Sequence, residues 1–381
     1  MTQGIAGRAT RPRRQRGDTT YDSWMESRGI PIHRGYFVED LRTVELGWWA
    51  ERECNAAFIQ LEGMPGMCEG RVTEIPPGAA LPPLKLGFDD LVYVLQGQGA
   101  TTVWSEGSST PRSFEWHPHS LFLIPRHHRH QIMNGRGDST VRLLHYNYAP
   151  LAMAGSNSPD FFFNNPYEES NGPTDDLYAE AKAVKVHQDE ENDPYLWYGN
   201  FFPDLAKWDR LSVYQRRGAG GHHVTIQLPD SEMSGHMSVF PVGTYKKGHR
   251  HGPGVGIVIP AGEGYSIMWP EGSEKVIVPW HEASMFVPPN RWFHQHFNLG
   301  EIPARYLALH PTLRKQLFGQ MERVEDRARD QIEYSDEDPM IRERFESELA
   351  KRGQKSLMPA EIYENREYKW EFKEQYAKPT A

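Results

Sequence analysis

Cysteine is nearly missing: Cys54 and Cys68 are the only two in 381 residues. They are not in CxxC spacing, and two thiols make no disulfide framework, so both are expected to be reduced. Long apolar runs are missing too. No stretch approaches the roughly 18 residues that would span a bilayer, so no membrane partner is expected. The chain also lacks an excess of positive charge. Its 42 Lys and Arg face 51 Asp and Glu, a net charge of −9 that favours solubility and argues against a nucleic-acid partner. The one basic cluster, "RATRPRRQRG", lies within the first 17 residues and reads as a solvated arm. It has no apolar h-region of the secretory kind, so a cytoplasmic location is expected.

Glycine and proline, by contrast, are abundant, at 34 and 29 residues, and aromatic residues make up 12%. That balance favours many short strands joined by turns over long helices.

The chain repeats itself. "GYFVEDL" from Gly35 is followed 164 residues later by "GNFFPDL" from Gly199, and "FIQL" at Phe58 recurs as "TIQL" at Thr225. "WHPHSLFLIPRHHRHQIMN" (Trp116 to Asn134) lies over "WHEASMFVPPNRWFHQHFN" (Trp280 to Asn298), again at an offset of 164. Gly78, Gly97, Gly99 and Trp104 find Gly243, Gly262, Gly264 and Trp269 at an offset of 165. Two copies of one domain follow. Each reads as short alternating strands, among them "LVYVLQGQGATTVW" and "VRLLHYNY" in the first and "VGIVIP" and "RYLALH" in the second, at the spacing of a sandwich or barrel. Between the copies, "TDDLYAEAKAVK" reads as a helix opened by an Asp-rich cap; after about residue 312, "LRKQLFGQMERVEDRARDQIEY" and "DPMIRERFESELAKRG" have helical spacing.

The second copy carries the chemistry. Gly243 is followed after five residues by His249-Arg-His251, then by Val255 after three and Gly262 after six; further on come Pro289, His294 and Asn298. This spacing resembles the two cupin motifs, G-x5-H-x-H-x3-E-x6-G and P-x-G-x2-H-x3-N, so the chain resembles a bicupin. The resemblance implies an all-β-dominated fold: two tandem cupin (double-stranded β-helix, jelly-roll) barrels with a helical linker and a helical C-terminal extension. The expected divisions are an N-terminal arm (1–34), a first cupin domain (35–150), a linker with a helix (151–198), a second cupin domain (199–312) and a helical extension (313–381).

In cupins, the two His of the first motif, its Glu and the His of the second hold a divalent metal. Carried over by position, His249, His251 and His294 match, while the Glu position is Val255. A three-imidazole site without the carboxylate is expected. It keeps the ion's full charge and leaves up to three open positions, which suits an anionic or bidentate substrate with O2 or water. The first copy departs in the opposite sense. Its pair is Leu84 and Leu86, its carboxylate position is Asp90, and only His130 matches. No metal is expected there, Asp90 reads as a surface or turn carboxylate, and the cluster His127, His128, His130 reads as loop residues.

Around the second-copy metal, strand alternation places His296 on the same face as His294 and Asn298, as a group that hydrogen-bonds bound oxygen or moves a proton. Arg305 is a candidate for a substrate carboxylate, and Tyr245 for a further pocket group. Gln227, His236, Arg291 and Trp292 are weaker candidates.

Three-His cupin sites resemble those of Fe(II) oxygenases, including gentisate-type ring-cleaving dioxygenases. The resemblance implies an Fe(II) dioxygenase for a small oxygenated, aromatic or carboxylated substrate, with O2 as co-substrate. The alternative is a non-redox lyase, isomerase or hydrolase using Zn, Mn or Ni. A homo-oligomer, dimer or tetramer, is expected as in other cupins.

Overall fold

The computed structural model describes residues 19–105, 111–156, 158–163, 165–170, 175–179, 181–185, 195–312 and 329–370. Residues 1–18 of the expected N-terminal arm, with its basic cluster, and most of "LRKQLFGQMERVEDRARDQIEY" lie outside the described residues; the rest of the arm forms the helix Thr20–Glu26 and leads into the strand Ile32–Gly35. No described helix is long and apolar enough to cross a membrane.

Four antiparallel-dominated sheets build two barrels. In the first, the large sheet runs Ile32–Gly35, Cys54–Leu61, Glu69–Ile75, Val141–Asn147, Asp90–Gln96, Leu121–Ile124. It faces a small sheet of Leu84–Lys85, Arg129–Asn134, Gly99–Trp104 and Arg112–Trp116. In the second, His222–Gln227, Ser234–Phe240, Ala304–His310, Gly256–Ala261 and Met285–Phe286 face Val276–Trp280, Gly264–Trp269, Phe293–Asn298 and Gly248–His249. Each pair of sheets closes as a jelly roll, so the fold is the bicupin one.

The duplication extends to single atoms. Gly99 and Gly264 leave room for the indoles of Trp116 and Trp280: a Cβ on either would come within 2.4 or 2.7 Å of the ring, and nearer still to a backbone oxygen. The indoles in turn donate to Thr101 Oγ1 at 2.9 Å and Ser266 Oγ at 3.0 Å, equivalent positions of the two copies. His119 and Ala283, and likewise His127 and Arg291, share left-handed backbone at matched positions.

The barrels exchange strands. Phe37–Val38 pairs with Met285–Phe286 of the second barrel, and its counterpart Phe201–Phe202 pairs with Leu121–Phe122 of the first. The exchange is pinned symmetrically. Ser284 Oγ donates to Glu39 O while Ser120 Oγ donates to Pro203 O; Leu41 N–H donates to Ala283 O and Leu205 N–H to His119 O, both at 3.0 Å.

Between the two large sheets lies a shared core that includes Ile59, Leu61, Val72, Leu144, Val224, Met237, Leu307 and Leu309. Each large sheet is therefore covered on both faces. Ala304–His310 is buried at all seven positions, and the alternation expected from sequence gives way to continuous apolar runs, as sheets buried on both sides produce.

In the linker, the helix is shorter than expected, Asp175–Ala179, and "KAVK" is a strand, Lys182–Lys185, paired with Tyr195–Tyr198. The C-terminal segment forms the helix Pro339–Lys351, capped by Asp338, which accepts from Met340 N–H at 3.1 Å. Its Ile341, Phe345 and Leu349 recur at one-turn spacing and pack with Tyr245, Tyr265 and Phe297 on the outer face of the second barrel's small sheet.

Glu337, just before this helix, accepts from Tyr245 Oη and from Gln295 Nε2 at 3.1 Å. Burial pushes its carboxyl up to about 7, against the pull of those two donors. The folded state thus holds this proton more tightly than the unfolded chain, whose carboxyl titrates near 4.5. The contribution is fully present below pH 4.5 and is lost as pH rises through about 7; it amounts to at most about 3 kcal/mol. Melting curves at pH 5 and pH 8 should show Glu337→Gln losing less stability across that interval than the wild type. Equal losses would show that Glu337 is ionised throughout.

Candidate metal centre

Cross-strand register assembles the histidines. His249 and His294 are direct partners on adjacent antiparallel strands, and Met268 and Ser266 stand opposite His294 and His296. His251 follows two residues after His249, where its carbonyl accepts from Arg291 N–H at 3.0 Å. One ring nitrogen from each of His249, His251 and His294 lies within 4.8 Å of the other two, the sole such cluster of His, Cys, Asp or Glu among the described residues.

The tautomers suit a metal. Each Nδ1 lies against a backbone carbonyl, which only accepts: His249 on Lys247 O at 3.2 Å, His251 on Gly252 O at 2.7 Å and His294 on Trp292 O at 3.2 Å. Nδ1 therefore carries the proton and Nε2 presents its lone pair inward, as in a metal-binding histidine whose other nitrogen is held by a carbonyl. His294 Nε2 is buried with no hydrogen-bond partner among the described residues, an orphan that an ion would satisfy. Burial keeps the rings of His249, His294 and His296 neutral. His294 is pushed down to about 3, and His249 and His296 well below their usual range, by desolvation first and then by neighbouring Arg217 or His charges. Three inward-facing imidazoles fit a divalent ion. Val255, at the carboxylate position, is buried among Ile257, Met268 and Phe286, and no acid joins the cluster.

His296 lies close by, its ring 5.5 Å from that of His294 and 6.2 Å from that of His249. Its Nδ1 is 2.8 Å from Ser266 Oγ, which already accepts from Trp280. The serine hydroxyl keeps one hydrogen and a second lone pair, so the contact holds the ring in place in either tautomer; where the serine donates to Nδ1, Nε2 carries the proton as a donor. In the first barrel the Trp116–Thr101 pair persists, but the position of His296 is Ile132. The indole–hydroxyl pair therefore belongs to the fold, and the histidine is particular to the second barrel.

Two expected pocket residues lie elsewhere. Arg305 shares the face of Leu307 and Leu309, away from the barrel interior, and donates to Trp208 O at 2.8 Å and to Asp209. Tyr245 points outward from the small sheet, stacked on Phe297 with its hydroxyl on Glu337. Arg291 is engaged by Asp330 at 2.6 Å.

The interior neighbours are Tyr306, whose ring lies 4.9 Å from His296, and Lys246. The Lys246 ammonium donates to Ser238 Oγ and lies over the rings of Tyr306 and Phe240, 5.0 and 5.5 Å from their centroids. Burial, then Arg217, pulls it down to about 7. Arg217 donates to Gln331 at 3.0 Å, and its charge bears on His249, His294 and His296. Each of these neighbours is adjacent in sequence to a chosen candidate, Tyr306 to Arg305 and Lys246 to Tyr245. The strand of Tyr306, Ala304–His310, is buried at all seven positions, so its sequence held no signal of which parity turned inward.

In the first barrel, Asp90 is no surface carboxylate. It is buried, at 2.7 Å from His145 Nδ1 and 3.0 Å from Asn147 Nδ2. His127 and His128 bond Asn165 and the Arg126 carbonyl, apart from His130. Both cysteines are free and buried.

No family model matches this chain, and no curated protein matches it. Among solved structures, a deletion mutant of Bacillus subtilis oxalate decarboxylase is 12% identical over 73% of this chain and 78% of its own, with a TM-score of 0.46. A Bacillus subtilis oxalate decarboxylase studied for its Mn(II) centres is 12% identical over 72% and 76%, with a TM-score of 0.45. A formate complex of Lactobacillus farciminis oxalate decarboxylase is 13% identical over 72% and 85%, with a TM-score of 0.46.

Metal analysis of purified variants checks the cluster. His249→Ala and His294→Ala should each reduce bound metal to background, while Tyr245→Phe and Arg305→Lys should leave it unchanged. Full metal content in both histidine variants would remove the centre from this site.

Proposed function

We propose that the second barrel is a mononuclear non-haem Fe(II) dioxygenase centre for a small, oxygenated, anionic substrate. The observation that carries this reading is a three-imidazole cluster, His249 and His294 buried and His251 half-buried, with Val255 where a ligating carboxylate would stand and the charges of Lys246 and Arg217 close by. A divalent ion there supplies a Lewis acid for a chelating anion and, as iron(II), the electrons for O2 chemistry.

The protein groups do the rest. The cationic surroundings favour an anion: Arg217 is charged, and a bound carboxylate would draw the Lys246 amine, pulled down to about 7, into its ammonium form. Lys246 Nζ donates to Ser238 from the floor of the barrel, beside Tyr306, and is placed to orient a carboxylate or phenolate oxygen. His296 offers Nε2–H to substrate oxygen and is reprotonated without moving, because Ser266 fixes its other nitrogen. Phe286, Tyr306 and Met268 make the surroundings dry, which strengthens each of these contacts.

A second reading, a non-redox lyase or isomerase with Mn, Ni or Zn, is favoured by the adjacency of Lys246 and Tyr306, a pair suited to acid and base work without oxygen.

Protein purified without added metal should hold close to one Fe per chain. After anaerobic Fe(II) loading it should consume O2 with a member of a panel of hydroxylated aromatic acids and β-diketones. His296→Ala should then lower kcat by roughly 10²-fold with metal retained, and Lys246→Met should act mainly on KM. Tightly held Zn or Mn with no oxygen uptake from any compound would replace the dioxygenase with the second reading.

A further inference from the structure

The first barrel has lost the imidazole pair yet is not filled. A cavity of about 490 Å³ opens into it, a size that accommodates a small organic molecule. Its polar wall has a peculiar charge arrangement. Arg71 is matched by Glu69 at 2.6 Å, and Glu69 also accepts from Tyr21. Asp90 is matched by His145 and Asn147. Arg52 lines the same cavity and has no ion pair or hydrogen bond among the described residues. A guanidinium so placed lacks the anion that such groups require when desolvated.

His130 is a second, independent sign. It is 3% exposed, lines the cavity, and has no hydrogen bond on either nitrogen among the described residues, its Nδ1 being fully buried. Burial and then the Arg52 charge push it down to about 3. It is thus a neutral ring with one N–H to donate in either tautomer. Arg52 and His130 both influence and face the same space, and neither is used by the protein.

The opposite wall is apolar. Leu84 stands where a metal-binding histidine would be, and Trp24 and Trp49 line the cavity with their rings 6.3 Å apart. Trp24 stacks on Phe163 at 4.1 Å, which joins the N-terminal helix Thr20–Glu26 to the linker helix Pro159–Phe163 over the opening.

We propose that the first barrel is a second, metal-free small-molecule site that takes an organic monocarboxylate, its carboxylate held by Arg52 and His130 and its aromatic or branched apolar body against Trp24, Trp49 and Leu84. A charge-assisted pair with a guanidinium matches a carboxylate better than a spherical anion, and the aromatic wall excludes a purely inorganic one.

Benzoate is the probe, titrated calorimetrically into the full-length His294→Ala chain so that the second barrel cannot contribute a metal site. One benzoate per chain should bind. Adding Arg52→Glu should weaken binding by about tenfold or more, with an unchanged circular dichroism spectrum, since Arg52 supports no other group. His130→Phe should weaken it as well, and benzyl alcohol, lacking the charge, should not bind. No benzoate binding, or binding indifferent to Arg52→Glu, would overturn the site. Because the test is independent of metal and turnover, it stands apart from the fate of the dioxygenase reading.

Discussion

The packing of the two large sheets against each other is the contact on which the metal centre depends. Its apolar core is shared by both copies, and each copy donates a strand to the other's sheet. Neither barrel closes alone without leaving an apolar face and an unpaired edge open to water. The first barrel consequently does more than fill space. Tyr146 and Cys68 donate to Gly254 O, and Gly254 N–H donates to Gly63 O at 2.9 Å. Gly254 sits in the loop immediately after His251, so three first-barrel groups hold the segment that ends the His pair. The copy without the His pair thus helps to position the pair of the other.

The two interiors have solved the problem of buried charge in opposite ways. In the first, Arg71, Glu69, Asp90, His145 and Asn147 bond one another in a network whose charges are matched. Asp90, the remnant of the motif's carboxylate, serves that network as an acceptor. In the second, Val255 has removed the acid, and the buried polar groups are neutral imidazoles beside Lys246 and Arg217. The first interior therefore needs little from outside except at Arg52, while the second is arranged so that negative charge must arrive with a ligand.

The repeat, the jelly-roll architecture and the three histidines were legible in the sequence because each rests on spacing: turns fix the glycines, and cross-strand register brings residues 45 apart, His249 and His294, into direct opposition. The parity of interior side chains was not legible. Arg305 and Tyr245 drew attention as chemically able residues, yet the strand Ala304–His310 is buried on both faces and gives no alternation to say which way Arg305 points. Asp90 was unreadable for the same reason. It begins the strand Asp90–Gln96, buried at six of its seven positions, where a carboxylate is tolerated only because His145 and Asn147 meet it from a strand more than fifty residues away. Those partners are tertiary facts.

The C-terminal extension also escaped its helical reading at the point that matters most. Gln331–Ile332 is a strand, and it pairs with Gly248–His249, adding a fifth strand that the first barrel's small sheet does not have among the described residues. The strand bearing His249 is only two residues long. So short an element would be held on one side by the strand of His294 alone and would fray without a second neighbour. Gln331 supplies that neighbour and also receives Arg217, while Tyr334 donates to the Tyr245 carbonyl and Ile341, Phe345 and Leu349 bury the outer face behind it. The His pair is thus restrained from two directions, by the first barrel at Gly254 and by the extension at His249. Placement of imidazoles to within a fraction of an ångström, as a metal demands, requires such fixation on both sides of a segment that its own backbone pairing cannot hold.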